Sequence, residues 1–272
     1  MERRTLELTA IQTLQKAPAA IAVGTDAVWA VGSNGWLWRL WPDTHQAEGV
    51  ERLGRRATAI AMAGDLIWVL RKNGRLYGLE PASGEVVVEG RLPRGASHMA
   101  AHDDALWVSC GRDRRVARFD PGRGQLSAEI QLDQPVRCLI AAGGNLLVGC
   151  ARTLSRSQGW LHAIDCRAER VTATVPLPNQ PRAIAVDGET AWVACGRWLD
   201  REGTIERVDM GSCKVTEWRA TSWAVGSLAL IDDILLASMS LELAVPFAGG
   251  EIIAGGGGGG ECGGGEGGSN SC

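Results

Sequence analysis

The sequence predicts an all-β fold of six similar four-stranded sheets, from two observations: an internal repeat and the short length of its apolar runs. In six segments of the 272-residue chain, an apolar run is followed by a short polar turn and a second apolar run. A repeat of about 40 residues indicates an architecture built from copies of one unit. The second runs align on Trp29, Trp68, Trp107, Leu147, Trp192 and Leu235, which are 39, 39, 40, 45 and 43 residues apart.

Each copy has room for four strands. Apolar runs of strand length alternate with turns rich in Gly, Asp and Asn, which is the strand and turn pattern. In the first copy we expect strands at 20–23, 28–31 and 37–41, and in the second copy a fourth strand at 85–91. Four strands in about 40 residues are typical of one propeller blade. The sequence therefore predicts a six-bladed β-propeller, with blades at about 18–56, 57–95, 96–135, 136–180, 181–225 and 226–254.

Tryptophan dominates the aromatic residues, with eleven Trp against one Tyr and two Phe. One structural role, repeated in most copies, explains this imbalance better than independent packing choices. We expect one indole in each copy to wedge between neighbouring sheets.

The two ends of the folded part are predicted to complete each other. We expect the run EIIAG, which begins at Glu251, to be the third strand of the sixth copy, so that this copy lacks a fourth strand. Residues 5–15, TLELTAIQTLQ, are apolar and β-compatible, and they precede the first copy. As the fourth strand of the last blade they would close the ring and remove its open edges.

Composition limits the classes of partner and compartment. A net charge of −3 and a pI near 5.9 give no reason to expect nucleic acid or an anionic membrane as a partner. The N-terminus lacks the apolar run of a secretory signal, and no stretch reaches the roughly 20 apolar residues of a membrane helix. Eight cysteines occur without a CxxC pair. We therefore expect a cytoplasmic protein with reduced thiols, no metal site and no cofactor.

Part of the third copy, RVARFDPGRGQLSAEIQL at 115–132, resembles the YVTN-type propellers and the related streptogramin lyase propellers, and the similarity covers about residues 18 to 250. The run VWAVGSNGWLWR at 28–39 is similar to a tectonin repeat, which implies a sugar-binding propeller. The lyase resemblance implies a metal-assisted elimination by paired histidines with a nearby glutamate. No His-x-Glu arrangement and no pair in corresponding loops occurs among the four histidines, His45, His98, His102 and His162. We expect no catalytic residues.

Arginines concentrate in the loops between the second and third strands. Three of them share a register, in Cys110-Gly-Arg112, Cys150-Ala-Arg152 and Cys195-Gly-Arg197, and Arg115 and Arg201 lie in the same loops. Guanidinium groups suit carboxylate or phosphate ligands, so an anionic small molecule or peptide is a candidate partner. The alternative is that these arginines are solvated and paired with Asp113, Asp200 and Glu202. The candidate ligand-binding residues are Arg71, Arg112, Arg114, Arg152, Arg156 and Arg197.

Residues 255–272 form a tail with eleven glycines in eighteen residues, which we expect to be disordered. The tail resembles the core region of glycine-rich microcins, whose Cys and Ser residues are cyclised to azoles. That resemblance implies modifying enzymes as partners and gives the candidate modification sites Cys262, Ser269, Ser271 and Cys272. A simple flexible tether is the other interpretation. The run LELAVPFAGG at 241–250 also resembles the double-glycine end of a leader.

These patterns together predict a non-enzymatic propeller that serves as a binding scaffold and carries a modifiable tail. The alternatives are a small-molecule lyase or a lectin-like propeller that binds its ligand on the arginine-rich loop face.

Overall fold

The computed structural model describes residues 18–32, 34–93, 95–110, 114–152, 158–196, 202–221, 225–231, 234–239, 244–248 and 251–252. For 231, 234, 236, 238–239, 244–248 and 251–252 it describes the backbone alone. These residues form four-stranded antiparallel sheets, each made from four consecutive strands. The prediction of an all-β chain in four-stranded sheets is confirmed.

Twenty-four strands account for the described sheets. The first sheet contains β1 (Pro18–Val23), β2 (Val28–Gly32), β3 (Trp36–Trp41) and β4 (Gln46–Arg52), and the second contains β5 (Ala57–Ala63), β6 (Leu66–Arg71), β7 (Arg75–Leu79) and β8 (Val86–Arg91). The third contains β9 (Ala96–His102), β10 (Ala105–Cys110), β11 (Arg115–Asp120) and β12 (Gln125–Gln131), and the fourth contains β13 (Val136–Ala142), β14 (Asn145–Ala151), β15 (Gly159–Asp165) and β16 (Arg170–Leu177). The fifth contains β17 (Pro181–Asp187), β18 (Thr190–Cys195), β19 (Gly203–Asp209) and β20 (Lys214–Thr221), and the sixth contains β21 (Val225–Ile231), β22 (Ile234–Met239), β23 (Ala244–Ala248) and β24 (Glu251–Ile252).

Successive sheets pack face to face through their first strands. Strand β1 contacts β5, β5 contacts β9, β9 contacts β13, β13 contacts β17, and β17 contacts β21. The core lies between the sheets, because second strands such as β6, β10 and β14 are buried on both faces. In β6, Ile67 and Val69 pack in a cluster with the first sheet, whereas Trp68 and Leu70 pack in a cluster with the third. This two-sided burial explains why the second strands read as continuous apolar runs.

The tryptophans fill the spaces between sheets, as the repeat predicts. Trp29 packs with the second sheet, Trp107 packs with the fourth, and Trp192 packs against residues of the sixth. Trp68 is completely buried, its Nε1 donates to the carbonyl oxygen of Ala63 at 3.2 Å, and its ring meets the edge of Phe119 at 5.7 Å between centroids.

The sixth sheet differs from the prediction in two respects. Leu236 pairs with Ala229 as Trp192 pairs with Ala185, so the position equivalent to the tryptophans is Leu236 and the choice of Leu235 is wrong by one residue. Leu235 and Leu236 are equally apolar, so the sequence does not indicate which of them takes the position of the tryptophans. A shift of one residue moves a side chain to the other face of the strand.

The run EIIAG is not the third strand of that sheet. Ala244–Ala248 pairs with β22 in the third place, and Glu251–Ile252 pairs with β23 in the fourth. Pro246 lies inside the third strand, where a residue without an N–H is uncommon, and this is why the pattern pointed to the later run. The proposed closing strand, residues 5–15, and the glycine-rich tail lie outside the described residues.

Within the described part of the chain, no helix has both the length and the apolar character needed to cross a membrane.

Candidate basic site on the loop face

The loops between second and third strands share one face with the connections between sheets. In the third, fourth and fifth sheets, the last paired residue of the second strand faces the start of the first strand: Cys110 pairs with Ala96, Cys150 with Val136 and Cys195 with Pro181. Loops that follow the second strands therefore lie beside residues that precede the first strands. We call this end of the sheets the loop face.

Two of the predicted arginines come together on the loop face. Arg114 and Arg152, from adjacent sheets, line a cavity of about 400 Å³ with Asp133, Gln134 and Pro135, which we call the loop cavity. Arg114 Nη1 donates to the carbonyl oxygen of Asp133 at 3.4 Å. Both arginine side chains are exposed, so the pair is well solvated.

The other predicted arginines do not join this pair among the described residues. Arg112, Arg156 and Arg197 lie outside the described residues. Arg71 has a structural role, because its Nη2 and Nε donate to the carbonyl oxygen of Arg55 at 3.1 and 3.3 Å and its Nη1 donates to the Tyr77 hydroxyl at 3.3 Å. Arg115 forms an ion pair with Glu129 in β12 at 2.7 Å, and this acid is not among those named in the alternative interpretation.

A larger cavity of about 1090 Å³ lies beside the loop cavity, and we call it the inner cavity. The two cavities share Pro135, and Gln180, which lines the inner cavity, donates from Nε2 to the carbonyl oxygen of Arg152 at 3.3 Å. All six described first strands contribute to its lining. Each does so with the residue at which its pairing register shifts: Ala19, Thr58, Ser97, Arg137, Arg182 and Gly226.

These register shifts are β-bulges, which leave one residue unpaired and turn its side chain away from the regular alternation. The six residues occupy the same position of successive repeats. In each first strand, regular pairing with the second strand resumes at the next residue. The structure therefore uses one backbone irregularity six times to bring one residue of each sheet to one cavity.

The inner cavity is basic. Arg137 and Arg182 extend from adjacent first strands, Lys72 lies at the turn after β6, and no aspartate or glutamate is among the described residues that line it. Both arginine side chains are half-buried. Burial lowers the pKa of Arg182, Cys138 opposes this shift, and the charge of Arg137 adds a smaller lowering.

His98 lines the same cavity in a neutral form. Burial lowers its pKa to about 4, and the charge of Arg137 acts in the same direction. Nδ1 lies 3.1 Å from the Ser97 hydroxyl and 3.0 Å from the Ser109 hydroxyl. The imidazole is thus held in place by two hydroxyl groups at neutral pH.

The cysteines beside the site are not nucleophiles. Burial raises the pKa of both Cys138 and Cys150 to about 12, so both thiols stay protonated at neutral pH. Among the described residues, no three His, Cys, Asp or Glu side chains are placed to hold a metal ion.

A third cavity, of about 360 Å³, lies at the opposite end of the first two sheets and is lined by Trp29 of the tectonin-like run and by Trp41, which follows that run. Arg39 covers these aromatic surfaces, with its guanidinium carbon 4.6 Å from the Trp29 ring centroid and 5.6 Å from that of Trp41. A sugar that stacked on these rings would have to displace this cation.

The sequence analysis missed Arg137 and Arg182, although a signal for them exists. In the aligned repeats both arginines stand at the residue before the first apolar pair, where the other repeats have Ala, Thr, Ser and Gly. Two arginines at one repeat position, in consecutive repeats, identify a shared location on adjacent sheets. The arginines predicted as a site were expected in loops, whereas Arg137 and Arg182 lie within β13 and β17.

Comparison with known proteins shows the fold and no more. No protein-family model matches the chain, and no curated protein matches it. The chain is similar to a chain of the mitotic checkpoint complex, with 11% identity, a TM-score of 0.73 and coverage of 93% of this chain and 89% of the other. It is similar to hydrazine synthase of Kuenenia stuttgartiensis, with 13% identity, a TM-score of 0.68 and coverage of 87% and 77%. It is also similar to BamB of Moraxella catarrhalis, with 14% identity, a TM-score of 0.63 and coverage of 88% and 76%. These neighbours are propeller-type folds, and with the four-stranded sheets they show that this chain has a fold of the propeller type.

Proposed function

We propose that this protein is a non-enzymatic propeller scaffold that binds an acidic segment of a partner protein on its loop face. The observation that carries the proposal is the loop cavity, in which Arg114 and Arg152 from adjacent sheets come together beside the basic inner cavity. Guanidinium groups on neighbouring rigid sheets suit carboxylates that extend along a peptide. Structural neighbours of the propeller type are compatible with a binding or scaffold role.

The scaffold in this proposal is a closed ring of six blades. One cavity receives a residue from the first strand of each described sheet, which is the arrangement expected when the first strands surround an axis. The first sheet also has an uncovered face. Ile21 and Val23 in β1 are 58% and 75% exposed, whereas Ile60, at the position of Ile21 in β5, is 6% exposed because the first sheet covers it.

Closure would cover that face. The fourth place of the sixth sheet is occupied by the two-residue strand Glu251–Ile252 alone in the described part of the chain. In this proposal residues 5–15 extend that place and tie the sixth sheet to the chain that leads into β1, so that the sixth sheet covers the face of the first sheet that carries Ile21 and Val23. The apolar, β-compatible pattern of TLELTAIQTLQ is consistent with a strand there. The YVTN-type relationship and a cytoplasmic location belong to the same proposal, and unpaired thiols at the six described cysteines fit a reducing compartment.

The absence of catalysis in the proposal is supported by how the histidines are engaged. His98 contacts two serine hydroxyls, His162 Nδ1 lies 2.9 Å from the Thr174 hydroxyl, and His102 faces Asp103 at 3.6 Å. Each of these rings has its own local partner, which differs from the paired arrangement that the lyase resemblance implies.

The experiment is fluorescence polarisation of a labelled hexaglutamate peptide against the full chain. We expect binding that weakens with added salt and is reduced at least fivefold by the double variant Arg114→Gln/Arg152→Gln. The control is Arg123→Gln, which removes an 82% exposed arginine at the opposite end of the third sheet. Equal binding by wild type and the double variant would refute the loop-cavity proposal.

The tail is the second part of the proposal, and it depends on the sequence alone. Cysteines and serines set among glycines leave the neighbouring backbone carbonyls unhindered, and azole-forming enzymes need that access. We propose Cys262, Ser269, Ser271 and Cys272 as the modified positions, and mass spectrometry of the native protein is the test.

A further inference from the structure

We propose that the inner cavity binds a small oxyanion with two or more negative charges, held between the guanidinium groups of Arg137 and Arg182 with Lys72 as a third cation. This site is separate from the acidic-peptide surface proposed above, because it uses different arginines and lies inside the ring of first strands rather than in the loops. Phosphate esters and polycarboxylates share the required chemistry.

The placement of the two arginines is the first argument. Both are the bulged residue of a first strand, and the two strands, β13 and β17, are in contact. Groups that project from strands of a packed sheet are positioned more rigidly than groups on loops. The backbone around them is also close-packed, because a Cβ added at Gly149 would meet Cys138 Sγ and the ring of Pro181. The backbone positions that carry the two arginines are therefore fixed before any ligand binds.

Unfavourable electrostatics are the second argument. The half-buried side chains of Arg137 and Arg182 line one cavity, and its described lining contains no carboxylate. Arg137 Nε is buried and has no hydrogen-bond partner among the described residues. A buried donor without an acceptor is destabilising, and groups in such surroundings are found at functional sites. A bound oxyanion supplies the acceptor for Arg137 Nε and a negative charge beside the cations of the cavity.

The neutral groups around the cations define the rest of the ligand. Ser97 and His98 lie in β9, the first strand of the sheet before that of Arg137, and Thr58 lies in β5, the first strand of the sheet before that. Hydroxyl and imidazole groups there can accept or donate hydrogen bonds without adding charge. A volume of about 1090 Å³ is at the upper end of typical small-molecule sites, so a ligand larger than a free inorganic anion fits.

The test is isothermal titration of the full chain with two probes, pyrophosphate and citrate, at equal ionic strength. We expect at least one probe to bind, and the affinity to fall tenfold or more in the double variant Arg137→Gln/Arg182→Gln. The stronger probe identifies the ligand as a phosphate ester or as a polycarboxylate. The single variant Arg182→Lys keeps the charge and removes the planar fork, so it tests the site if the double variant does not fold, with an expected loss of threefold or more.

Three outcomes separate this inference from the proposed peptide surface. Loss of probe binding in the Arg137/Arg182 variants with unchanged binding in Arg114→Gln/Arg152→Gln supports the inner site. Loss in the Arg114/Arg152 variant alone overturns the inner site and leaves the loop face as the anion site. No binding of either probe by the wild-type chain at millimolar concentrations also overturns the inference, whatever the peptide assay shows.

Discussion

Arg137 and Arg182 occupy the same bulged position of consecutive sheets, and burial, with a smaller contribution from the charge of Arg137, lowers the pKa of Arg182. We expect the repulsion between the two like charges to destabilise the protein when no ligand is bound. Binding sites for charged ligands commonly lower the stability of the unliganded protein, because like charges that suit the ligand repel each other in its absence.

The first prediction concerns this repulsion. Arg137→Met keeps an unbranched apolar stem and removes the charge and the buried Nε, so we expect the unliganded protein to gain about 0.5–1 kcal/mol in free energy of unfolding. Urea unfolding measures the change, with Arg123→Met as the control for loss of an exposed arginine. A loss of stability in Arg137→Met beyond that of the control would mean that the arginine is structural.

The second prediction concerns the tryptophan wedge. Trp68 is completely buried between the second and third sheets and contacts the edge of Phe119, so Trp68→Ala should lower the free energy of unfolding by ~3–5 kcal/mol. Trp218 is 61% exposed, and Trp218→Ala should change the free energy of unfolding by less than ~0.5 kcal/mol. Chemical denaturation of the two variants makes the comparison, and similar losses would contradict the assignment of Trp68 to the core.

The repeat predicted this part of the architecture well, because a large buried residue at a fixed interval is recorded directly in the sequence. Trp29, Trp107 and Trp192 all lie where the spacing placed them. The sixth sheet was predicted less well, since Leu235 and Leu236 give no contrast between faces and Pro246 hides a strand.

The sequence predicts a group of loop arginines as a binding site, and their role in binding stays a prediction. In the structure Cys110, Cys150 and Cys195 pair with the starts of the first strands, and Arg114 and Arg152 share a cavity. Arg71 instead supports a turn through Arg55 and Tyr77. Arg137 and Arg182 depend on β-bulges, and no single residue type marks a bulge, so their orientation becomes visible only when the pairing register is known.

The third prediction concerns pH. The folded-state pKa of His98 is about 4, below the ordinary value of 6.5, so between these values the unfolded chain binds a proton that the folded chain does not. The free energy of unfolding should therefore fall as the pH falls through this window, by up to ~1.4 kcal/mol for each pH unit. The charged group facing His98 is Arg137, and the neutral ones are Ser97 and Ser109.

His98→Gln should reduce this slope, which is measured as urea midpoints from pH 7 to pH 4. Part of the slope should remain in that variant, because burial also lowers the pKa of His162. Gln46→Ala, a substitution of an exposed residue that does not titrate, is the control and should keep the wild-type slope. A slope that is the same in His98→Gln and in the wild type would exclude His98 as its source.

The fourth prediction concerns ring closure. If residues 5–15 close the ring, deletion of residues 1–16 should expose an edge and cause aggregation or a large drop in melting temperature. Ile21→Ser/Val23→Ser in the full chain tests, without removing a segment, whether the sixth sheet covers this face of the first sheet, and should cost about 1–3 kcal/mol if these side chains are covered. The matched control is Val87→Ser, which alters a 54% exposed valine in β8. Unchanged melting curves for both the deletion and the double substitution would rule out closure by this segment.

The fifth prediction concerns the tail. A tether should tolerate Cys262→Ser and Cys272→Ser, and its mass in the native producer should equal the mass that the sequence encodes. A modified core should instead lose about 20 Da for each Cys or Ser converted to an azole, since ring formation removes one water and oxidation removes two hydrogens. A loss of about 18 Da at each site would indicate dehydration without oxidation, and therefore dehydroamino-acid or thioether chemistry.

Intact and tryptic mass spectrometry of protein purified from its own host makes the measurement, because a foreign host lacks the modifying enzymes. Unmodified mass at Cys262, Ser269, Ser271 and Cys272, with both thiols reduced, would assign the glycine run to a tether and leave the loop face and the inner cavity as the functional parts of the chain.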